Sequence, residues 1–147
     1  MTGAEILVKI LHEKNITCMI SPAPEDKQNY YDPKDRTIYL RKAVYAGQTV
    51  EGAAITAHEF GHLLQHVEGF KPFKFSRFIG GRSYALKVYL EWNATQRALE
   101  YLKLFMFPNA LKRAKTTLYK LFLTYLIPAF AFYALWATLI YFIIKWL

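Results

Sequence analysis

From Leu121 to Ile144 no side chain carries a formal charge. As a helix, those 24 positions extend about 36 Å, enough to cross a hydrocarbon core of roughly 30 Å. Tyr119, Tyr125, Tyr141 and Trp146 stand near the ends, where interfacial aromatics are found. The 147-residue chain supports one domain with a modest core, too little to cover so long an apolar cylinder. We therefore read 121–147 as a transmembrane helix. Pro128 is expected to kink it or shift its start, since proline is tolerated in membrane helices. Hydrophobic residues make up 54% of the chain, and their excess over a soluble domain lies mostly after Leu99, so the chain divides into a mixed-polarity head and an apolar tail.

The net charge of +8 admits nucleic acid, an anionic membrane or an acidic partner. Lys112, Arg113, Lys115 and Lys120 cluster just before the apolar stretch, and Lys145 stands alone after it. That asymmetry favours a bilayer partner and a cytoplasmic head on a single-pass, C-terminal anchor. No basic recognition helix or stacking-aromatic motif argues for nucleic acid. The expected organisation is a head over 1–107, a basic juxtamembrane linker over 108–120 and the span. Glu5, Lys9, His12, Glu13 and Lys14 interrupt any apolar run at the N-terminus, so no signal peptide is expected there. The single cysteine, Cys18, allows no intrachain disulfide and no cysteine-based zinc site, and it is expected as a small buried hydrophobe.

Within the head, Thr2 and Glu5 have capping-box spacing, and Ile6, Leu7, Ile10 and Leu11 recur at helical spacing, predicting a helix over 3–14. Ile16 to Ser21 reads as a short strand ended by Pro22 and Pro24. Asp32-Pro33-Lys34-Asp35 is a turn signal between Tyr30-Tyr31 and Thr37 to Leu40, predicting a hairpin or a loop into a strand. A long helix is expected from Thr49, which can cap it, to Val67, with Gly69 ending it in the left-handed region. The segment from Phe70 to Arg82 alternates aromatics with Lys71, Lys74 and Arg77. It reads equally as a headgroup contact or as a loop packed on the core. Gly80-Gly81 marks a joint, and a second helix is expected over 84–104.

The chemistry lies in His58-Glu59-Phe60-Gly61-His62. Residues four apart share one helix face, so both imidazoles can hold one Zn²⁺ ion. Glu59, one residue after the first histidine, can reach a zinc-activated water without being a ligand, which marks it as the general base. Ala53, Ala54, Ile55, Ala57, Leu63 and Leu64 make the surroundings apolar, and two histidines and a glutamate buried there need compensation. An open catalytic site needs a third protein ligand. Glu68 stands ten residues after His58, but Gln65 replaces the glycine that would turn the helix back. His66 is two turns from His58, about 12 Å along the axis, too far for a bond of about 2 Å. Glu91, mid-way along the second helix beside the small Ala94 and Ala98, is the preferred ligand.

These motifs carry a resemblance. Thr2-Gly3-Ala4-Glu5, Tyr31-Asp32-Pro33, Ile38-Tyr39-Leu40, Val44-Tyr45, Ala57 to His62 with Gln65, Glu68-Gly69-Phe70 with Pro72, and Glu91 to Ala98 are similar to the neutral zinc metallopeptidases of bacterial membranes, the YugP-like family. The likeness spans about two thirds of the chain. It implies a gluzincin-like peptidase whose acidic ligand lies in the later motif, at Glu91. Family members usually carry an N-terminal anchor and a longer hydrophobic insertion between the two motifs. Here no anchor-like run is read at the N-terminus, and the interval is only Lys71 to Leu90.

The expected protein is thus an α+β zincin-like head with a short sheet and an HExxH helix, plus a second, Glu-bearing helix and the anchor. Its expected activity is peptide-bond hydrolysis with Zn²⁺ on His58, His62 and Glu91. Tyr84, Tyr31 and His66 are candidate oxyanion donors, and a substrate peptide can add as a strand beside Thr37 to Leu40. Substrates are expected to be peptides or proteins in or near the membrane. The alternative is a non-catalytic zinc-binding membrane adaptor, which would require a fourth ligand to close the site.

Overall fold

Thr49 opens the helix around which the head is built: its hydroxyl accepts the Gly52 amide at 2.9 Å, satisfying a donor left free by the first turn. In this computed structural model, residues 2–80 and 83–146 are described. Gly81 of the expected joint, Arg82 at the end of the aromatic and basic segment, and Leu147 at the end of the expected span lie outside the described residues.

The elements in chain order are α1 (Gly3–Lys14), β1 (Met19–Pro22), β2 (Tyr30–Asp32), β3 (Thr37–Leu40), α2 (Lys42–Ala46), α3 (Val50–Val67), α4 (Lys71–Phe78), α5 (Tyr84–Phe105) and α6 (Pro108–Trp146). The architecture is mostly helical with one three-stranded sheet. Thr2 and Glu5 form the expected capping box: the Thr2 amide donates to Glu5 at 2.7 Å, and the Glu5 amide donates to Thr2 at 3.1 Å. Gly69 takes φ +68° just past the end of α3, a conformation that costs glycine little.

Sheet order is β1-β3-β2, with β1 parallel and β2 antiparallel to β3. This corrects one expectation. Thr37 to Leu40 form the central strand, hydrogen-bonded on both sides, so no peptide can add beside them. The free edges belong to β1 and β2.

α3 is buried on two faces. On one, Ala53, Phe60, Leu63 and Leu64 pack with Ile6, Leu7, Ile10 and Leu11 of α1 and with Tyr31, Ile38 and Leu40 of the sheet. On the other, Ala54 and Ala57 meet Ala98, Leu99 and Leu102 of α5 and Ala114 and Leu118 of α6. A helix apolar on nearly all sides sits inside the fold. Each fully buried Leu or Ile stabilises by about 1.5–3 kcal/mol. Cys18 is half-buried against the first cluster, and burial pushes its thiol up to about 11, as expected of a packed, unreactive side chain.

α6 begins earlier than the apolar stretch. Residues 108–120, expected as a linker, are helical and continuous with it, and Ala114 and Leu118 are fully buried against α3 and α5. The helix runs unbroken through Pro128. It is long and apolar enough to cross a membrane. α5 lies antiparallel along its first half: Trp92 packs on Tyr119 and Phe122, Tyr84 packs on Phe132, and the Ala85 amide donates to the Tyr133 hydroxyl at 3.2 Å.

The base of α6 is therefore part of the head's core. Leu118→Ala should destabilise the folded head by about 2–5 kcal/mol in denaturant unfolding of the detergent-solubilised chain. Leu135→Ala, on an exposed turn of the same helix, should change stability by less than about 0.5 kcal/mol.

Candidate metal centre

Two helices cross at Gly61. A Cβ built there would stand 2.6 Å from the Ala94 carbonyl oxygen and 2.9 Å from its Cα, so only glycine lets α3 and α5 approach this closely. Within one turn of that crossing lie the candidate site side chains. His58 and His62 lie four residues apart on α3, and Glu91 lies three residues before Ala94 on α5.

The geometry is tight. His58 Nε2 is 3.0 Å from Glu91 Oε2, and His62 Nε2 is 3.4 Å from the same oxygen. The three ligand atoms lie within 4.8 Å of one another. Ligands about 2.0–2.1 Å from a tetrahedral zinc stand roughly 3.3 Å apart, so this donor set fits one such ion. Among the described residues no fourth His, Cys, Asp or Glu joins the group.

The remaining ring nitrogens are fixed by hydrogen bonds. His58 Nδ1 lies 3.3 Å from the Thr95 hydroxyl, and His62 Nδ1 lies 3.0 Å from Gln65 Oε1. The orientation of Gln65 follows from its other contacts. Its amide nitrogen donates to the Leu90 carbonyl at 2.8 Å and to Asn93 Oδ1 at 3.1 Å. A carbonyl can only accept, so Oε1 is the atom left for His62. In the neutral ring His62 Nδ1 then carries the proton and Nε2 keeps its lone pair for a metal; in the protonated, metal-free ring Nε2–H points at Glu91. Arg97 completes the support: its Nε donates to Asn93 at 2.9 Å, and its Nη1 pairs with Glu68 at 2.6 Å.

Glu59 is buried next to the group without joining it. Burial pushes its carboxyl up, opposed by the neighbouring His62 and His58 and by a hydrogen bond from the Tyr31 backbone. It reaches the floor of an open cleft of about 530 Å³. Gln28, Asn29 and Arg41 form one wall of this cleft; Leu121, Thr124 and Tyr125 of α6 form another.

The structure brings together His58, His62 and Glu91, with Glu59 beside them. It leaves Glu68 outside, exposed and paired with Arg97, and it ties His66 to the Tyr31 hydroxyl at 2.7 Å. Tyr84 packs on Phe132, two turns from Glu91 and about 10 Å along α5. The supporting roles of Gln65, Asn93, Thr95 and Arg97 went unread in the sequence, although Gln65 at three residues from His62 and Thr95 at four from Glu91 have the spacing of neighbours on one helix face.

His58, His62 and Glu91 thus form a group that could hold one metal ion, with Glu59 buried beside it, and such a His-His-Glu donor set suits zinc. Residues 1–81, more than half of the chain, match the family described as "Putative neutral zinc metallopeptidase", and the chain belongs to that family. It is similar to the "Putative membrane protease YugP" of Bacillus subtilis (strain 168), 33% identical over 70 residues, which cover 47% of this chain and 31% of that protein. The match thus spans about a third of that relative's length. No solved structure matches. His58, Glu59 and His62 fall within the family match; Glu91 lies beyond it and joins the group on geometry.

Two measurements follow. Replacing Gln65 by Leu frees the His62 tautomer and should weaken zinc affinity about 10–100-fold in competition with a chromophoric chelator. The second concerns pH in the metal-free chain. Burial lowers the His62 pKa, but the hydrogen bond and charge of Glu91 outweigh it and hold it at about 9 against an ordinary 6.5. Glu91 is drawn down to about 2, because the two imidazoles outweigh the burial that would raise it. A raised histidine stabilises the fold below pH 6.5, and that contribution disappears as pH rises through about 9. The melting temperature of the metal-free chain should therefore fall between pH 6.5 and 9. The rise in melting temperature on adding zinc should grow over the same interval, because the metal needs the neutral imidazole.

Proposed function

We propose that this chain is a membrane-anchored zinc metallopeptidase that hydrolyses peptide bonds of membrane-associated or membrane-proximal substrates. The observation that carries the reading is the meeting of His58, His62 and Glu91 while Glu59, one residue from a ligand, stays out of the group and faces an open cleft. His58 and His62 through Nε2, and Glu91 through its carboxylate, are the ligands in this reading. A zinc ion held there would lower the pKa of a water to about 7 and polarise a carbonyl oxygen.

The protein's own groups do the rest. Thr95 and Gln65 hold the imidazoles so that both Nε2 lone pairs face inward. Glu59 takes a proton from the attacking water as its oxygen bonds to the scissile carbon. It returns that proton to the amide nitrogen as the C–N bond breaks, and the second water proton passes to the leaving amine, which leaves an ammonium and a carboxylate. A carboxyl raised by burial suits both halves of that exchange. The outer edge of β2 lies beside α3, and the Tyr31 backbone reaches Glu59; a substrate strand adding to this edge would pass next to the acid. Tyr31 and His66, hydrogen-bonded to each other at 2.7 Å, stay candidate oxyanion donors in this reading.

Three ligands and no fourth among the described residues favour an open, catalytic site over a closed structural one. In this reading α6 crosses the bilayer with the head in the cytoplasm, on the side of exposed Lys112, Arg113, Lys115 and Lys120.

Glu59→Gln should retain stoichiometric zinc and lose at least about 100-fold in peptide cleavage. Glu91→Ala should lose both metal and activity, as read by elemental analysis and a quenched-fluorophore peptide assay on the full chain in detergent. Unchanged cleavage by Glu59→Gln would end the mechanism; unchanged zinc content in Glu91→Ala would remove the third ligand.

A further inference from the structure

α4 packs on the head through one side only. Phe73 lies against His66 with ring centroids 5.7 Å apart. Just before the helix, Phe70 packs on Tyr89 of α5 and beneath Arg97. The opposite side carries Phe75 and Phe78, 57% and 87% exposed, three residues apart and so on one face. Lys71 and Lys74 flank them, and Arg77 is also exposed. Two large aromatics projecting from an eight-residue helix between cations form a surface that water alone does not explain.

The height of this helix along α6 says what lies opposite. The chain returns from Phe78 to the start of α5 within six residues, and Tyr84 there contacts Phe132 while the Ala85 amide contacts Tyr133. The far membrane boundary of α6 is marked by Lys145 and Trp146. Counting back about 20 residues, the length that crosses roughly 30 Å, puts the near boundary close to Tyr125. Phe132 is then about 10 Å inside it. Interfacial amphipathic helices bury their apolar faces about 5–10 Å into the headgroup and acyl boundary. The first turn of α5 thus stands at the depth where such a face belongs, and the C-terminal end of α4 lies within six residues of it along the chain. Counted instead from Leu121, the start of the uncharged stretch, the span would carry Lys87, which lies 5.1 Å from the Tyr125 ring, about 6 Å into the hydrocarbon, where a charge is disfavoured. The shallower placement is the one this side chain favours.

Resting on the reading that α6 spans the bilayer, we infer that α4 and the first turn of α5 are a second membrane contact. Phe75, Phe78 and Tyr84 insert among the acyl chains of the leaflet that α6 enters, and Lys71, Lys74 and Arg77 pair with anionic lipid headgroups. The partner is an anionic bilayer surface. One consequence concerns the cleft: its wall at Leu121, Thr124 and Tyr125 lies at the near boundary, so Glu59 faces the headgroup layer. Peptide segments emerging from the same leaflet reach it without crossing bulk water.

The test uses the full chain with Cys18→Ala, carrying one fluorophore-labelled cysteine at a time. The positions are Phe78→Cys on α4, Leu135→Cys on the exposed part of α6 and Val8→Cys on the outer face of α1. Each is reconstituted in vesicles of phosphatidylcholine with phosphatidylglycerol containing a nitroxide on the upper acyl chain. The inference expects quenching and a blue-shifted emission at both Phe78 and Leu135, with neither at Val8. It also expects the charge-reversal triple variant Lys71→Glu, Lys74→Glu and Arg77→Glu to lose quenching at Phe78 and keep it at Leu135. Quenching at Leu135 without quenching at Phe78 would overturn the second contact and leave the span intact. Absence of quenching at both would overturn the span, and the inference with it. Retention of zinc by every variant would show that the head is folded in each case.

Discussion

The contact at Gly61 and Ala94 governs the rest of the molecule. Packed helices commonly stand 8–10 Å apart axis to axis, and the missing Cβ at Gly61 draws α3 and α5 closer at the point that sets where the histidines of one meet the carboxylate of the other. Removing a Cβ at the crossing lets the two backbones touch, and the ligand atoms on either side then meet at 3.0 and 3.4 Å. The neighbouring Ala54, Ala57 and Ala98 extend the same close approach along the helices. The glycine within the HExxH pair thus contributes to the site as directly as the histidines do, by setting the distance rather than by bonding.

Much of this was legible because it is local. Caps at Thr2 and Thr49 identify themselves within four residues, and the periodic apolar faces of α1, α3 and α5 fix their type and nearly their ends. Glu91 could be preferred as a ligand because helix geometry excludes His66 and the missing glycine at Gln65 removes Glu68. What stayed hidden is non-local. Nothing in Thr37 to Leu40 reveals that both of its edges will be paired, since strand order depends on partners distant in sequence. α4 is two turns long, and its alternating aromatics and cations obscure a helical period. The amide of Gln65 takes its direction from a carbonyl 25 residues away. Composition marked residues 108–120 as basic, but the burial of Ala114 and Leu118 within them depends on helices folded elsewhere.

Electrostatics at the centre follow from the same packing. Two imidazoles and two carboxylates in a largely apolar interior are costly unless they compensate one another, and they do so with a division of labour. Glu91 shares one oxygen between both rings and is held ionised, whereas Glu59 lacks such a partner and is pushed towards its protonated form. The pair of carboxylates is thereby split into one suited to holding charge and one suited to moving a proton.

The uninterrupted run of α6 from the head's core to its exposed end has a mechanical meaning. A helix that is buried at Ala114 and Leu118 and continues as one element beyond Pro128 provides no swivel between the two regions. Under the proposed reading, with its far half in a bilayer, the head would ride at a set altitude and orientation, as on a rigid mast. Encounters would then depend on lateral diffusion within the plane. Selectivity among targets would become a matter of how far each one's cleavable segment stands from the lipid, a ruler written in helix length rather than in side-chain pockets.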